Sequence, residues 1–167
     1  SVPQSGHEWA VTPCQDHTVA TWGLAQCNRA RLAVPLDDPA LVPFLAAIEG
    51  VDAEAEAAPG YRWRQHFLGP LTRPKIFPDD LLVTLSVWAT FDDLKRFVCG
   101  RHLEVYRQRA SWFVPPDGPR HVLWWVPAGD RPDPLDAIER LDRVGTSAAS
   151  PEAFTFATPI SNPSLDD

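Results

Sequence analysis

Residues 81–88 form a run whose side chains only a β-strand can sort into two coherent faces. The odd positions are apolar and the even positions mix apolar with hydroxyl-bearing groups: Leu81, Val83, Leu85 and Val87 against Leu82, Thr84, Ser86 and Trp88. Side chains two apart on a strand share a face, so the run predicts one apolar and one mixed face. Exposing a tryptophan to water beside small hydroxyl-bearing residues costs free energy, because its large apolar ring stays hydrated. We therefore expect the mixed face to line a pocket and the apolar face to pack into a core.

Similar patterns predict the remaining elements. Aspartates before Pro39 favour a capped helix start, and Pro59-Gly60 favours its end. Alternation of apolar and polar residues predicts the other strands, and apolar residues at three- and four-residue steps predict the other helices. The predicted strands are 19–28, 61–66, 81–88, 121–126 and a short one at 154–156, and the later helices are 91–113, which Gly100 interrupts or kinks, and 134–144.

This β-α-β-β-α-β order predicts an α+β, ferredoxin-like fold, in which helices cover one face of an antiparallel sheet. We expect the helices on the apolar face and the mixed face bare. In a related group two such sheets pack face to face as a dimer around a cavity, so a dimeric α/β barrel is the expected assembly. Residues 1–18 are predicted as an irregular N-terminal arm, 19–156 as the barrel domain and 157–167 as a C-terminal tail.

Charge and composition argue against several classes of protein. A net charge of -7 disfavours nucleic acid and anionic membrane surfaces, which attract positive charge. No apolar stretch reaches the ~18 residues of a membrane span, and no signal peptide is evident. The cysteines, Cys14, Cys27 and Cys99, lack CxxC spacing, so neither a disulfide framework nor a zinc cluster is indicated. Phosphate-loop and nucleophile-elbow motifs are missing too. We expect a cytoplasmic protein.

Several short strings of residues are distinctive, and the most specific is Leu123-Trp-Trp-Val-Pro-Ala-Gly129. The others are Leu24 to Ala30, Pro59 to Arg64, Leu85 to Trp88, His102, Trp112-Phe113 and Asp117 to Pro119. Together these strings resemble a bacterial family of unknown function (DUF3291 type), whose members are similar to the dimeric α/β-barrel antibiotic-biosynthesis monooxygenases. The resemblance covers about residues 22–156. It implies the fold and a homodimer, but no single reaction.

One implication of the resemblance is haem. The haem-degrading monooxygenases of this fold use an asparagine on the first strand, a tryptophan ending the third and a histidine on the next helix as iron ligand. Asn28, Trp88 and His102 resemble that set. His102 lies about one helical turn further along than the ligand in those enzymes. Haem binding through His102 is therefore the alternative, and no other metal ligand is predicted.

The other implication is a cofactor-independent monooxygenase that acts on an aromatic or polyketide-like substrate. Such enzymes deprotonate an electron-rich molecule held between aromatic rings before oxygen reacts. Stacking groups would be Trp22, Trp63, Trp88 and Tyr106, and hydrogen-bonding groups Gln26, Asn28 and Ser86. His102 would accept the proton, and Arg109 or Arg107 would stabilise the anion. Catalytic roles are thus predicted for His102, Asn28, Trp88 and Arg109.

Structural explanations compete with each of these roles. His102 on an apolar helical stripe is equally typical of a core histidine, and Gln26 with Asn28 of a strand hydrogen-bond network. The arginines can form surface ion pairs, and Trp112, Trp124 and Trp125 fit a core and dimer interface. The leading hypothesis is a small-molecule enzyme of bacterial secondary metabolism, making natural products such as antibiotics. A cyclase or dehydratase and a noncatalytic small-molecule binding module are the further alternatives.

Overall fold

The computed structural model describes residues 21–68, 77–100, 107, 109–115 and 117–165. Its sheet is antiparallel and five-stranded, with β1 in the centre, β3 and then β2 on one side, and β4 and β5 on the other. The strands are β1 Trp22–Leu32, β2 Tyr61–Phe67, β3 Leu81–Trp88, β4 Phe113–Val114 and β5 His121–Pro127. The helices are α1 Val42–Ala57, α2 Phe91–Cys99 and α3 Pro134–Val144. The spatial order β2-β3-β1-β5 is ferredoxin-like and confirms the predicted α+β fold.

Side-chain caps begin the helices where the sequence predicts them. A 3-10 turn, Pro39–Leu41, leads into α1 and is capped by Asp38, whose carboxylate accepts from the Ala40 amide at 2.8 Å. Thr90 caps α2, and Asp133 caps α3. Each cap satisfies backbone N–H groups that have no partner within the helix. Short polar caps therefore set where each helix starts against the sheet.

The helices divide between the two faces of the sheet, and this corrects the prediction of a bare mixed face. Ala55 of α1 and Leu94 of α2 pack in one buried cluster with Trp88 of the mixed face. Ala137 and Leu141 of α3 pack instead on the apolar face. The expectation was wrong because the mixed face has enough apolar area to bind helices around its polar centre. That area comes from Leu24, Leu82, Leu123 and Trp125.

Two predicted elements differ from the structure in extent. The first strand runs on to Leu32, because its end pairs with β4, and residues 19–20 lie outside the described ranges. Of the helix predicted over 91–113, the structure forms α2, which ends at Cys99 next to Gly100. Residue 107 is helical too, and residues 101–106 and 108 lie outside the described ranges. Residues 109–111 form a 3-10 turn and Phe113 pairs with Leu32, so a helix over 109–113 was wrong. Helical spacing of apolar residues alone did not reveal this strand pairing.

The tryptophans of β5 point to opposite faces, as predicted. Trp124 is buried on the apolar face and carries the Arg140 guanidinium over its ring at 5.3 Å. Trp125 lies on the mixed face and donates its indole N–H to the Ile160 carbonyl at 2.9 Å. Of the short strand predicted at 154–156, the structure forms a single bridge between Phe154 and Leu123. In the described part of the chain, no helix has the length and apolar character needed to cross a membrane.

Candidate functional site

A row of polar side chains crosses the centre of the mixed face. His66 on β2 lies opposite Thr84 on β3, Thr84 lies opposite Asn28 on β1, and Asn28 lies opposite His121 on β5. Residues directly opposite on antiparallel strands hold their Cβ atoms about 4.5–5.5 Å apart. The row therefore brings two histidines, a hydroxyl and an amide from separate strands to one line across the sheet.

Asp52 of α1 extends this row at His66 into a hydrogen-bond chain. His66 Nε2 lies 2.7 Å from Asp52 Oδ1, and His66 Nδ1 lies 3.1 Å from Thr84 Oγ1. A carboxylate only accepts, so the proton on Nε2 faces Asp52. In the neutral ring Nδ1 must then accept, and the Thr84 hydroxyl donates to it. A carboxylate, an imidazole and a hydroxyl are thus connected in series.

The surroundings of His66 in the Asp52–His66–Thr84 hydrogen-bond chain keep its imidazole uncharged near neutral pH. Burial lowers the pKa of His66, and the nearby positive charge of Arg64 lowers it further, whereas the hydrogen bond and charge of Asp52 oppose the shift. Arg64 also donates through Nε to Asp52 Oδ1 at 2.9 Å, with its side chain only 8% exposed. A neutral imidazole has an unprotonated nitrogen, so His66 has the protonation state of a general base.

A second hydrogen-bond chain begins at Trp88 and ends at Asn28. An indole N–H only donates, so Trp88 Nε1 gives its hydrogen to Ser86 Oγ at 3.0 Å. Ser86 then donates to Gln26 Oε1 at 3.2 Å, and Gln26 Nε2 faces Asn28 Oδ1 at 3.5 Å. Among the described residues, the Asn28 Nδ2 hydrogens have no acceptor. The chain leaves an amide donor in the middle of the polar row.

A cavity of about 1420 Å³ reaches this row. On the mixed face it is lined by polar and α1 residues, namely Asn28, Arg64, His66, Thr84, Phe44, Ile48 and Val51. It continues past β4 to residues on the other face of the sheet, such as Arg29 and Ile138. Apolar walls with a few convergent polar groups are typical of small-molecule sites. Thr84 and Asn28 supply those polar groups side by side.

His121 ends the polar row beside an aromatic ring. Its imidazole lies 5.2 Å from the Phe156 ring, and its Nε2 atom is buried with no hydrogen-bond partner among the described residues. Burial also lowers the pKa of His121, so this ring is neutral at pH 7. An unpaired buried nitrogen costs about 1–3 kcal/mol.

The structure separates the residues that the sequence predicted for the site. Asn28 lines the cavity, whereas Gln26, Ser86 and Trp88 form the buried chain behind it. Trp63 lies on the opposite face, packed against the apolar cluster, and Trp22 packs at the edge of the mixed-face cluster. Position 109 lies in a 3-10 turn, and nothing is described of its side chain. His102 and Tyr106 lie outside the described residues.

The arrangement around Trp88 does not fit the haem alternative. The Trp88 indole is fully buried, stacked on Phe97 with ring centroids 4.9 Å apart and edge-on to Tyr61 at 5.8 Å. Phe97 therefore covers one face of the indole and closes that face to a porphyrin. Within the described ranges, no group of three His, Cys, Asp or Glu side chains is placed to hold a metal ion.

Sequence reasoning missed three residues of this site: Asp52, His66 and Thr84. Thr84 was placed on the mixed face but was given no role. His66 lies two residues after Arg64 on β2, so the two side chains share a face. Asp52 follows Val51, one of the α1 residues that face the sheet. Pairing β2 with β3 in the correct register would have placed His66 beside Thr84. The bulge between Tyr61 and Trp63 shifts that register, so the sequence pattern alone did not reveal it.

A family model matches most of the chain. The family is described as "Domain of unknown function (DUF3291)", and its model matches residues 23–167. No curated protein matches this chain significantly.

Solved structures share the general arrangement at low similarity. SnoaB, a cofactor-independent oxygenase from Streptomyces nogalater, is 14% identical with a TM-score of 0.45, covering 67% of this chain and 97% of that one. A protein of unknown function from Nitrosomonas europaea is 17% identical with a TM-score of 0.46, covering 70% and 98%. A conserved protein from Methanosarcina mazei is 10% identical with a TM-score of 0.47, covering 64% and 93%. Likeness at this level says nothing about the activity of this chain.

Proposed function

The chain belongs to the DUF3291 family, and we propose that this member is a small-molecule enzyme whose reaction begins when His66 takes up a substrate proton. The observation that carries this proposal is the Asp52–His66–Thr84 chain, which ends at the wall of a cavity. A neutral histidine oriented by a carboxylate is a common general base. Its neutrality comes from burial and from Arg64.

The substrate in this proposal is an electron-rich phenol or enol, and molecular oxygen is the co-reactant. The lost proton leaves an anion that reduces O₂ and forms a carbon–oxygen bond. In an anthrone, a CH₂ group becomes C=O, because one oxygen atom is retained and the other leaves as water with the two hydrogens. The resemblance of the family to antibiotic-biosynthesis monooxygenases supports this oxygen step. We therefore propose a cofactor-independent monooxygenase of bacterial secondary metabolism.

A second candidate function is proton transfer without oxygen, as in a cyclase or dehydratase. The specific observation behind it is that the base, its orienting carboxylate and the Asn28 amide donor form a site that can take up a proton and stabilise the resulting anion. Such a site can stabilise an enolate that then attacks a carbonyl within the same molecule. Only the requirement for oxygen separates the two functions.

An oxygen electrode tests the proposal directly. The purified protein is mixed with a hydroxylated anthrone, with and without air, and compared with His66→Gln and with Gln65→Ala. Gln65 is the exposed control, on the opposite face of the same strand. We expect oxygen uptake by the wild type and by Gln65→Ala, and a loss of about 10²-fold or more in His66→Gln.

Other results would redirect the assignment. Conversion at the same rate without air would favour the cyclase or dehydratase. Saturable binding without any conversion would favour a noncatalytic binding module. A sharp Soret band after addition of haemin would contradict the Trp88–Phe97 packing and restore the haem alternative.

The homodimer is also part of the proposal. It is supported by the dimeric barrels that the family resembles. Light scattering at micromolar concentration should give twice the chain mass of 18.5 kDa. A monomeric mass would contradict the dimer without affecting the role of His66.

A further inference from the structure

Both ring nitrogens of His66 are already engaged. Nε2 donates to Asp52, and Nδ1 accepts from the Thr84 hydroxyl. A substrate in the cavity therefore cannot hand its proton to His66 directly in this arrangement. Thr84 lines the cavity, and its Oγ1 connects to the free electron pair of the imidazole. Because its hydrogen points at His66, its own lone pairs remain to accept a hydrogen bond.

Asn28 offers the cavity a hydrogen-bond donor, whereas Thr84 offers an acceptor. The Asn28 Oδ1 atom accepts from Gln26, because the hydrogen bonds run from Trp88 to Ser86, from Ser86 to Gln26 Oε1 and from Gln26 Nε2 to Asn28. Its Nδ2 group is left to donate. Gln26 is 4% exposed and Ser86 1% exposed, so water does not compete strongly for this order.

Thr84 and Asn28 are direct cross-strand neighbours, so an acceptor and a donor stand side by side at the cavity. We propose that Thr84 is the catalytic group that receives the substrate proton, and that with Asn28 it selects a substrate whose acidic hydroxyl adjoins a carbonyl oxygen. Enols of 1,3-diketones and phenols beside a ketone have this pattern. The proposal rests on the proposed function and names its substrate class.

The proton step balances without any redox change. The substrate O–H gives its proton to Thr84 Oγ1 while the Thr84 hydroxyl proton moves to His66 Nδ1. The substrate becomes an anion, His66 becomes an imidazolium, and Thr84 is regenerated. Asp52 stabilises the imidazolium, and the Asn28 amide stabilises the negative oxygen.

Benzoylacetone, a 1,3-diketone whose enolate absorbs at longer wavelength than its enol, serves as the probe. Its spectrum is recorded when bound to the wild type, Thr84→Ser, Thr84→Val and Asn28→Ala, over a range of pH. Acetophenone, which lacks the second oxygen, is the matched ligand control. We expect the wild type and Thr84→Ser to raise the enolate fraction by about tenfold or more over solution. Thr84→Val and Asn28→Ala should lose this gain, and acetophenone should bind weakly.

The outcomes separate the relay from the proposed function. If Thr84→Val keeps the enolate gain while His66→Gln loses it, the relay is overturned and His66 remains the base. If neither the wild type nor any variant takes up oxygen but the enolate signal still depends on Thr84, the monooxygenase proposal is wrong and the relay stands. A wild type that binds benzoylacetone no better than acetophenone, or gives no enolate signal, would overturn the proposal. Thr84→Val keeps the shape of the side chain but removes its hydroxyl, so circular dichroism checks that the variant folds.

Discussion

His66 Nε2 lies 2.7 Å from Asp52 Oδ1, which joins an edge strand of the sheet to the helix above it. The same carboxylate oxygen accepts from Arg64 Nε at 2.9 Å. One aspartate therefore orients the proposed base and neutralises a guanidinium that is almost wholly removed from water. The site and the fold depend on the same side chain.

Replacing Asp52 should destabilise the protein. Asp52→Asn leaves the buried Arg64 charge without its charged partner. We expect the free energy of unfolding to fall by about 2 kcal/mol, less than for a fully buried pair, because the Asp52 carboxylate is partly exposed. Asp80→Asn is the matched control, because the Arg31–Asp80 pair is exposed on both sides. That control should change the free energy of unfolding by less than about 0.5 kcal/mol. Urea unfolding measures both, and equal losses would contradict the central role of Asp52.

Stability should fall as the pH drops below 6.5, the ordinary histidine value. The pKa values of His66 and His121 are lowered in the folded chain, mainly by burial. The unfolded chain therefore binds protons at a higher pH than the folded chain, so acid favours unfolding. The loss levels off below the lowered pKa values. Thermal unfolding followed from pH 8 to pH 5 should show this slope, and the His66→Gln, His121→Gln double variant should flatten it.

Removing the Ser86 hydroxyl should be costly. Ser86→Ala leaves the Trp88 indole N–H and Gln26 Oε1 buried without partners, and each unpaired group costs about 1–3 kcal/mol. Ser164→Ala is the matched control, because that hydroxyl bonds Asn162 at an exposed position. The control should stay within about 0.5 kcal/mol of the wild type in chemical denaturation. A similarly small effect at position 86 would mean that the buried chain is dispensable.

Gly60 and Gly129 should respond differently to alanine. Both have positive φ, at 79° and 90°, so both substitutions incur backbone strain of about 1 kcal/mol. At Gly60 an added Cβ would also overlap the Asp93 carboxylate, whereas at Gly129 no atom lies within 4 Å. Gly60→Ala should therefore lower the melting temperature clearly more than Gly129→Ala. Equal shifts would show that the Asp93 side chain moves away at little cost.

Replacing His121 by phenylalanine should stabilise the fold. The substitution removes the buried Nε2, which has no partner in the described part of the chain, and keeps an aromatic ring against Phe156, for a gain of about 1 kcal/mol. His66→Phe is the contrasting variant, because it removes the hydrogen bonds of the imidazole to Asp52 and to the Thr84 hydroxyl and should destabilise. Chemical denaturation of the two variants gives the comparison. A loss of stability in His121→Phe would show that Nε2 has a partner in solution, such as a bound water.

The sequence by itself determined the elements whose signals are local. Strand β3 has the predicted bounds, α3 begins at Pro134 as predicted, and the alternation in β3 sorted its side chains onto two faces correctly. Such features depend on neighbours two to four residues away and on short polar caps. The sequence also placed Asn28 on the mixed face with Ser86 and Trp88.

Only the tertiary structure decided what those faces do. The mixed face carries α1 and α2 because its leucines and Trp88 bury enough apolar area, so the polar row became the wall of a cavity within one chain. The partners Asp52, His66 and Thr84 come from a helix and two strands, and β4 pairs with β1 across a long stretch of sequence. Contacts between distant segments depend on strand register and helix docking, and no local pattern of side chains records either.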